Sequence, residues 1–413
     1  MTSSDRRQFL RSTAGGTAAM FFAPSFELLH PRSGAAAPIS VAVVGAGRQG
    51  RAILGELSTL ADAQVLAVCD TDDARLQSAV RKAQGLKGYA THKELLEREP
   101  GIAGIVIATP THLHKQVALD ALAAGKHVYC ETPLAHTIED CAAIAAAAKG
   151  SGKVFAAGFQ GRANPVYSLA RSFFKSGQLR QLSHLRAQDH KKTSWRTPGS
   201  TPERDRELNW HLDPAVSLGL AGEKGAHQLD VFHYFLGRYP TLVRGTGDLR
   251  LHKDGRELAD VIALELGFDD GLRAHYSCTL ASSYDGRYEL LAGEMAAIKL
   301  AWTHGWMFKE ADAPTQGWEV YANRQKFHND EGITLIAEAT KLAAQGKLTE
   351  GVGLPYSSLY YSLANFVSAC LENKAPACSA SEAARTTIVA IHADRAVRSK
   401  SEIAIPPELL ESV

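Results

Sequence analysis

Strand-like and helical patterns alternate through the first part of the chain. Ile39–Val44 is a short apolar run that stops at glycine, as a buried parallel strand does. After it, apolar residues recur at helical spacing from Ile53 to Leu60. Further strand-like runs follow at 64–69, 104–108, 126–130 and 154–158. The alternation predicts a doubly wound α/β domain with a parallel sheet, over residues 38–160.

The second part of the chain changes to strand patterns joined by turns. Val261–Phe268 and Leu272–Thr279 flank the sequence Asp-Asp-Gly, which is a hairpin signal. Apolar runs at 182–188 and 296–301 add two strands. We therefore predict a second domain over residues 161–413, built on a largely antiparallel open sheet.

A glycine-rich loop follows the first strand directly and reads Gly45-Ala46-Gly47-Arg48-Gln49-Gly50. Gly45 permits the tight turn, Gly47 lets the backbone approach a pyrophosphate, and Gly50 lets the next helix pack closely on the strand. The amides of Arg48 and Gln49 begin that helix, where they are placed to bind phosphate oxygens. The loop therefore predicts a dinucleotide-binding site.

The end of the second strand indicates which dinucleotide is bound. Asp70 follows that strand, and its carboxylate can accept hydrogen bonds from both ribose hydroxyls while repelling a 2′-phosphate. Thr71 and Asp72 come next, with no adjacent arginine to bind such a phosphate. NAD is the predicted cofactor, and NADP is the less favoured alternative.

Composition excludes several classes of function. The formal net charge of the 413 residues is +1, which favours neither nucleic acid nor an acidic membrane as a partner. The six cysteines form no Cys-x-x-Cys pair and no metal-ligand spacing. We predict no metal site and no disulfide framework, although Cys370 and Cys378 could pair in an oxidising compartment.

The first 37 residues do not belong to the predicted fold. The twin arginine Arg6-Arg7 precedes a weakly apolar, Ala- and Gly-rich stretch, and small residues at 34–37 offer a cleavage site. This arrangement resembles a twin-arginine export signal and predicts a periplasmic protein without a membrane span in its mature form. A disordered basic tail is one alternative. Retention as a membrane anchor is another, because Pro38 disfavours cleavage directly after Ala37.

Three further segments resemble the Gfo/Idh/MocA family of oxidoreductases. Residues 108–114 (Ala-Thr-Pro-Thr-His-Leu-His) resemble the family's cofactor loop, 131–133 (Glu-Thr-Pro) stand where the family has Glu-Lys-Pro, and 158–165 resemble the crossover into the second domain. The resemblance extends from about Ile39 to Ile405. It implies that five residues contact the cofactor: Thr109, Pro110, His114, Glu131 and Gln160.

The resemblance also implies a catalytic histidine. Glu223, Lys224 and His227 match the family's Asp-x-x-x-His element, with glutamate in place of aspartate. On a helix continuing through Phe235, their spacing of three and four residues directs all three into one cleft. His227 would take the hydroxyl proton as hydride leaves the same carbon, and Glu223 would orient the imidazole and stabilise its charged form.

One departure from the family concerns the lysine of Glu-Lys-Pro. In the family this lysine contacts cofactor and substrate and helps to polarise the reacting hydroxyl, whereas Thr132 carries no charge. Lys224 is one candidate for the missing charge, and Lys191 and Lys192 are rival candidates. A solvated role for Lys224 is equally open.

A long irregular stretch follows the strand that ends near His190. It contains Trp195, Arg196, Asn209, Trp210 and His211, a mixture that suits stacking on a sugar ring while hydrogen-bonding its hydroxyls. The same mixture is ordinary in a loop that packs on a neighbouring subunit. We predict a border of the substrate site here.

Three functions are compatible with these observations. The first is an exported oxidoreductase that transfers hydride between tightly bound NAD and a secondary alcohol of a sugar or polyol. The second is an NAD-dependent glycoside hydrolase acting by transient oxidation and elimination. The third is a non-catalytic sugar-binding relative. In each case we expect a small carbohydrate ligand and a homodimer or homotetramer formed through the open sheet.

Overall fold

The computed structural model describes residues 37–82, 85–339, 342, 345–347 and 352–413. The predicted export segment lies outside the described residues, apart from Ala37. Within the described part of the chain, no helix is both long and apolar enough to cross a membrane. All six cysteines are described, and their thiols are unpaired.

The first domain is built on a six-stranded parallel sheet, which confirms the predicted fold class. The strands are β1 (Ile39–Val44), β2 (Ala63–Cys69), β3 (Lys87–Tyr89), β4 (Gly104–Ile107), β5 (His127–Cys130) and β6 (Phe155–Ala157). Their order is β3-β2-β1-β4-β5-β6, so the direction of the connections reverses between β1 and β4. Ligands of doubly wound sheets bind beyond the carboxyl ends of the strands at such a reversal.

Helices on both faces connect these strands. They are α1 (Arg48–Leu57), α2 (Asp73–Lys82), α3 (His92–Arg98), α4 (His114–Ala123) and α5 (Ile138–Ser151). The side chain of Thr137 accepts a hydrogen bond from the backbone N–H of Asp140 and caps α5. A short 3-10 turn over Thr111–Leu113 precedes α4.

The second domain carries a ten-stranded sheet that is antiparallel except for one strand pair, again as predicted. Its strands are β7 (Leu182–His190), β8 (Leu242–Asp248), β9 (Val261–Gly267), β10 (Arg273–Thr279), β11 (Arg287–Gly293), β12 (Ala296–Ala301), β13 (His304–Lys309), β14 (Arg324–Lys326), β15 (Glu331–Thr334) and β16 (Glu402–Ala404). The order is β14-β15-β13-β12-β11-β7-β10-β9-β8-β16. Only β7 and β10 run parallel to each other among these described strands.

Among the described residues of the second part of the chain, the helices are α6 (Pro165–Lys175), α7 (Pro202–Leu208), α8 (Gly219–Glu223), α9 (Ala226–Leu236), α10 (Ser358–Glu372), α11 (Ala380–Ser399) and α12 (Pro407–Glu411). The prediction that one helix carries Glu223, Lys224 and His227 is wrong. α8 ends at Glu223 and α9 begins at Ala226, so Glu223 and His227 belong to different helices.

Helix α10 packs against the first domain. Its residues Leu363 and Phe366 pack with Val41 and Val43 of β1 in one hydrophobic core, and the Phe366 ring lies 5.8 Å from that of Tyr129. A helix from the C-terminal part of the chain thus completes the core of the first domain.

Candidate functional site

A cleft of about 1290 Å³ opens beyond the carboxyl ends of β1, β4 and β5. The loops after these strands form one side of the cleft, and the second domain closes the other. Most of the predicted site residues line this cleft: Gly45, Gly47, Arg48, Gln49, Asp70, Thr109, Pro110, His114, Glu131, Thr132, Gln160, Glu223, Lys224 and His227.

The glycine-rich loop is packed tightly at its first and third glycines. Gly45 has a φ of +102°, and a Cβ at this residue would lie 2.5 Å from the carbonyl oxygen of Ala108. A Cβ on Gly50 would lie 1.8 Å from the carbonyl oxygen of Gly45. Gly47 is open by contrast, because the nearest atom to its Cβ position is 3.9 Å away on Arg75. Two glycines serve the turn, and the middle one leaves room for a ligand.

Asp70 is held by the same loop. Its Oδ2 accepts a hydrogen bond of 2.7 Å from the backbone N–H of Ala46, and its Oδ1 accepts one of 2.8 Å from that of Asp72. No arginine is adjacent to Asp70 in the sequence, but the fold brings arginines into the cleft. Arg75 and Arg204 both line the cleft, and Arg204 pairs with Asp72. Arginines are therefore close in space, although none is adjacent in sequence.

His114 links the loop after β4 to the loop after β5. Its ring is buried, with Nδ1 lying 3.1 Å from the carbonyl oxygen of Pro133 and Nε2 lying 3.0 Å from that of Thr109. Burial lowers the pKa of this histidine to about 4. Both ring nitrogens face backbone carbonyls, so the structure gives His114 a positioning role for the two loops.

Glu131 joins the loop after β5 to the glycine-rich loop. Its Oε1 accepts a hydrogen bond of 3.0 Å from Nε2 of Gln49. Burial raises the pKa of Glu131 to about 7, against the opposing effect of this bond. The neighbouring hydroxyls of Thr132 and Thr109 are buried without a partner, although both residues line the cleft.

These features fit a bound dinucleotide. Gly47 leaves space for close approach of a ligand, the N-terminus of α1 faces the cleft, and an unpartnered hydroxyl of Thr109 lies beside it. The N–H groups of Arg48 and Gln49 would hold the pyrophosphate, and Asp70 would bind the ribose. When bound, the nicotinamide supplies the acceptor or donor of hydride.

His227 lies at the start of α9, with its ring packed edge-on between two aromatic side chains. The ring centroids of Phe159 and Trp302 are 5.9 and 5.8 Å from that of His227. Nδ1 is buried and has no hydrogen-bond partner. Burial, with Arg287 and Lys224 nearby, lowers the pKa of His227 well below its usual value. The imidazole is therefore held in its neutral form, with Nδ1 unpaired in the structure.

Glu223 does not orient His227, contrary to the sequence prediction. Its Oε2 accepts a hydrogen bond of 2.8 Å from the hydroxyl of Thr111, and its Oε1 accepts one of 3.2 Å from the backbone N–H of Leu218. Burial raises the pKa of Glu223 to about 7. Because the helix is interrupted at Lys224, this carboxyl ties the second domain to the loop after β4.

Of the three candidate lysines, Lys224 is the one that lines the cleft. Its Nζ lies 4.0 Å from Oδ2 of Asp189 and 5.9 Å from the centre of the Trp195 ring. Lys191 and Lys192 are exposed and do not line the cleft.

The sequence gives no indication of several residues that line the cleft, among them Asp189, Arg287 and Trp302. The guanidinium of Arg287 stacks on the Trp302 ring at 3.9 Å. Trp302 occupies the turn between β12 and β13 with a φ of +57°. A tryptophan in a hairpin turn, where Gly, Asn and Asp are usual, is the one sequence signal that could have revealed it.

The irregular stretch forms a cover over the cleft, which we call the covering segment (residues 191–218). Trp195, Arg196, Trp210 and His211 line the cleft, as predicted for the border of the site. Asn209 is buried instead and holds the segment together, because its Nδ2 donates hydrogen bonds of 2.8 Å to the carbonyl oxygen of Thr197 and 2.7 Å to that of Asp205.

Comparison with known families identifies both domains. Residues 39–159 match the oxidoreductase family with an NAD-binding Rossmann fold, and residues 167–298 match the Gfo/Idh/MocA C-terminal domain. The first domain is thus an NAD(P)-binding Rossmann domain.

Several relatives are enzymes of sugars and polyols. Levoglucosan dehydrogenase of Pseudarthrobacter phenanthrenivorans is 31% identical over 145 residues, which are 34% of this chain and 35% of that enzyme. The match to this chain therefore covers only about a third of the length of that enzyme. Inositol 2-dehydrogenase of Acidothermus cellulolyticus is 26% identical over 269 residues, 64% of this chain and 73% of that enzyme.

A solved structure shares the fold over nearly the whole chain. It is levoglucosan dehydrogenase in complex with NADH and levoglucosan, with a TM-score of 0.70 and 19% identity, covering 89% of this chain and 100% of that one. The matches to both family domains, in the order and positions found here, show that this chain belongs to the Gfo/Idh/MocA family of oxidoreductases.

Proposed function

We propose that the protein transfers hydride between a bound nicotinamide cofactor and a secondary alcohol of a sugar or polyol. The observation that carries the proposal is the position of His227, a neutral imidazole facing the same cleft as the glycine-rich loop. The names of the relatives support a carbohydrate, since they include dehydrogenases of levoglucosan, inositol and glucose 6-phosphate.

The chain's own residues would handle the proton. Oxidation of an alcohol removes a hydride from carbon and a proton from the hydroxyl, so a base is needed beside the reacting carbon. His227 accepts that proton, and Lys224 supplies positive charge in the cleft that Thr132 lacks. Trp195 and Trp210 offer ring faces on which a sugar can stack. The covering segment excludes water from the cleft.

We further propose that NAD is a resident group of an exported protein. The twin-arginine leader supports export of the folded protein, and the covering segment supports retention, because it contacts the first domain at two points. Arg204 pairs with Asp72, and the Trp210 ring lies 5.8 Å from that of His112. A resident cofactor requires a second substrate to restore its redox state.

Replacement of His227 tests the proposal. His227→Asn removes the base, and we expect kcat/KM to fall 10²- to 10⁴-fold without loss of bound NAD. Transfer of deuterium from the carbinol carbon of a panel of sugars and polyols to NAD is the measurement. The matched control is His275→Asn, at an exposed position of β10.

Two results would contradict the proposal. One is the absence of label transfer from every sugar and polyol in the presence of excess NAD, which indicates a binding protein. The other is a His227→Asn variant that transfers label as fast as the control.

A glycoside hydrolase is a second candidate because two carboxyls, Glu131 and Glu223, line the cleft with a pKa of about 7. Elimination and hydration need an acid and a base that both work near neutral pH. A chromogenic glycoside assayed without added NAD separates the two candidates. Release of the chromophore with no net NADH favours the hydrolase.

A further inference from the structure

Two cations in the cleft share a single carboxylate. Nε of Arg287 lies 3.7 Å and Nζ of Lys224 lies 4.0 Å from the same atom, Oδ2 of Asp189. Both distances exceed that of a hydrogen bond. Asp189 therefore balances one of the two charges and bonds directly to neither of them.

Arg287 has unused hydrogen-bonding capacity. Its Nε and Nη2 are buried without a hydrogen-bond partner, while 28% of the side chain remains exposed. A guanidinium in this state is costly, because it has lost hydration and gained no acceptor. Glu289 is also near, but its two carboxylate oxygens accept hydrogen bonds from Tyr167 and Gln228.

The surroundings hold the guanidinium plane in place. Trp302 stacks on it at 3.9 Å and also borders the ring of His227. The Trp302 backbone adopts a left-handed conformation, which is strained for a residue of this size. Its carbonyl accepts a hydrogen bond of 2.7 Å from Asn164, and its N–H donates one of 3.2 Å to Tyr167. The turn is thus anchored so that Arg287 is fixed beside the catalytic histidine.

We propose that the substrate carries an anionic group, a carboxylate or a phosphate, which Arg287 and Lys224 bind next to His227. The proposal rests on the proposed function and narrows it to acidic carbohydrates. A planar guanidinium binds two oxygens of such a group at once, and the ammonium of Lys224 adds a second charge-assisted bond. The anion would supply the direct hydrogen-bond acceptor that neither Asp189 nor Glu289 gives Arg287.

The test compares acids with their neutral counterparts. Glucuronate, galacturonate and gluconate are each titrated into the NAD-loaded protein beside the corresponding amide, and glucose 6-phosphate is titrated beside glucose, with calorimetry as the readout. We expect at least one acid to bind ten or more times more tightly than its neutral partner. Preference for the sugar acids or for the phosphate identifies the anion.

Arginine variants assign that preference to the proposed site. In Arg287→Gln we expect the ratio of acid to neutral affinity to fall about tenfold, toward 1, with partial recovery in Arg287→Lys, which restores charge without the planar fork. Arg244→Gln, at an exposed arginine of β8, is the matched control and should keep the wild-type ratio. Melting curves of all variants check that each one is folded.

The outcomes separate this inference from the proposed function. Equal affinity within every pair, or no measurable binding of either member, would overturn the anion site, as would an equal loss for both members in Arg287→Gln. Hydride transfer is followed separately by NADH fluorescence. An acid that binds through Arg287 without forming NADH contradicts the dehydrogenase but supports the anion site. A neutral sugar that is oxidised as well as its acid contradicts only the anion site.

Discussion

At the scale of single residues, the glycine-rich loop depends on contacts between backbone atoms. Gly45 and Gly50 are separated by five positions, yet a Cβ on the second would overlap the carbonyl of the first. Both positions therefore need glycine for one reason, which is that the start of helix α1 packs directly against the turn after β1. Gly47 has no such constraint from the protein and is left for a ligand.

Gly50→Ala should disrupt the packing of helix α1 against the turn at Gly45. We expect it to destabilise the protein by about 3 kcal/mol and to abolish NAD retention, because the added methyl group overlaps backbone that cannot yield. Gly55→Ala is the matched control in the same helix, since nothing lies within 4 Å of its Cβ position. That variant should gain about 0.5–1 kcal/mol, as alanine favours a helix interior. Chemical denaturation and bound NAD are measured, and a stable Gly50→Ala protein that retains NAD would refute this account.

At the scale of elements, the covering segment is the part most specific to this site. Leu218 is buried in the main hydrophobic core and Trp195 packs against it, while polar contacts such as the ion pair of Arg196 with Asp205 hold the segment together. Its helix α7 presents Arg204 to Asp72, which lies two residues beyond Asp70. This ion pair joins the covering segment to the first domain beside the cofactor loop.

Loss of the ion pair between Arg204 and Asp72 should weaken the attachment of the covering segment to the first domain. In Arg204→Ala we expect NAD to dissociate about tenfold faster, which corresponds to about 1.4 kcal/mol. Arg206→Ala serves as the control in the same helix, because Arg206 and its partner Glu203 are both 71% exposed and such pairs contribute little. Release of NAD is followed after dilution into a competing NAD-binding enzyme. Identical release from both variants would show that the pair does not retain the cofactor.

At the scale of the whole molecule, two carboxyls that line the cleft join separate segments of the chain. Glu223 joins the second domain to Thr111, and Glu131 joins two loops of the first. Burial raises the pKa of each to about 7. Each carboxyl is therefore protonated in the folded protein at pH values where the unfolded chain has already released the proton.

The contribution of each of these two carboxyls to stability should consequently be lost as the pH rises from about 4.5 to about 7. At each carboxyl the folded state binds more protons than the unfolded state in this range, which amounts to about 3 kcal/mol, while buried histidines such as His114, whose pKa is lowered, act in the opposite direction. Glu223→Gln keeps a similar shape and removes one titration, so the stability of this variant relative to the wild type should rise across this range. Glu207→Gln, in the covering segment and 66% exposed, should show no such rise. Urea unfolding at several pH values is the measurement, and equal slopes in wild type and Glu223→Gln would contradict the assignment.

The amino-acid sequence alone predicts both sheets and the location of the cofactor loop, because these depend on local patterns. Runs of apolar residues define β1 and β4, and the glycines after β1 must have small side chains wherever the rest of the chain lies. The family resemblance also indicates His227, because it too depends on a short local motif. Short strands such as β3 escape prediction, because three residues carry too little pattern.

Only the tertiary structure decided which side chains share the cleft. The break between α8 and α9 turned Glu223 from His227 to Thr111, and no spacing rule for a continuous helix could reveal that break. Arg204 reaches Asp72, and Phe366 completes the first core, across distances in sequence that carry no local signal. Local sequence determines what each segment forms, whereas the proton-handling and charged parts of the site arise from contacts between segments that only the folded chain brings together.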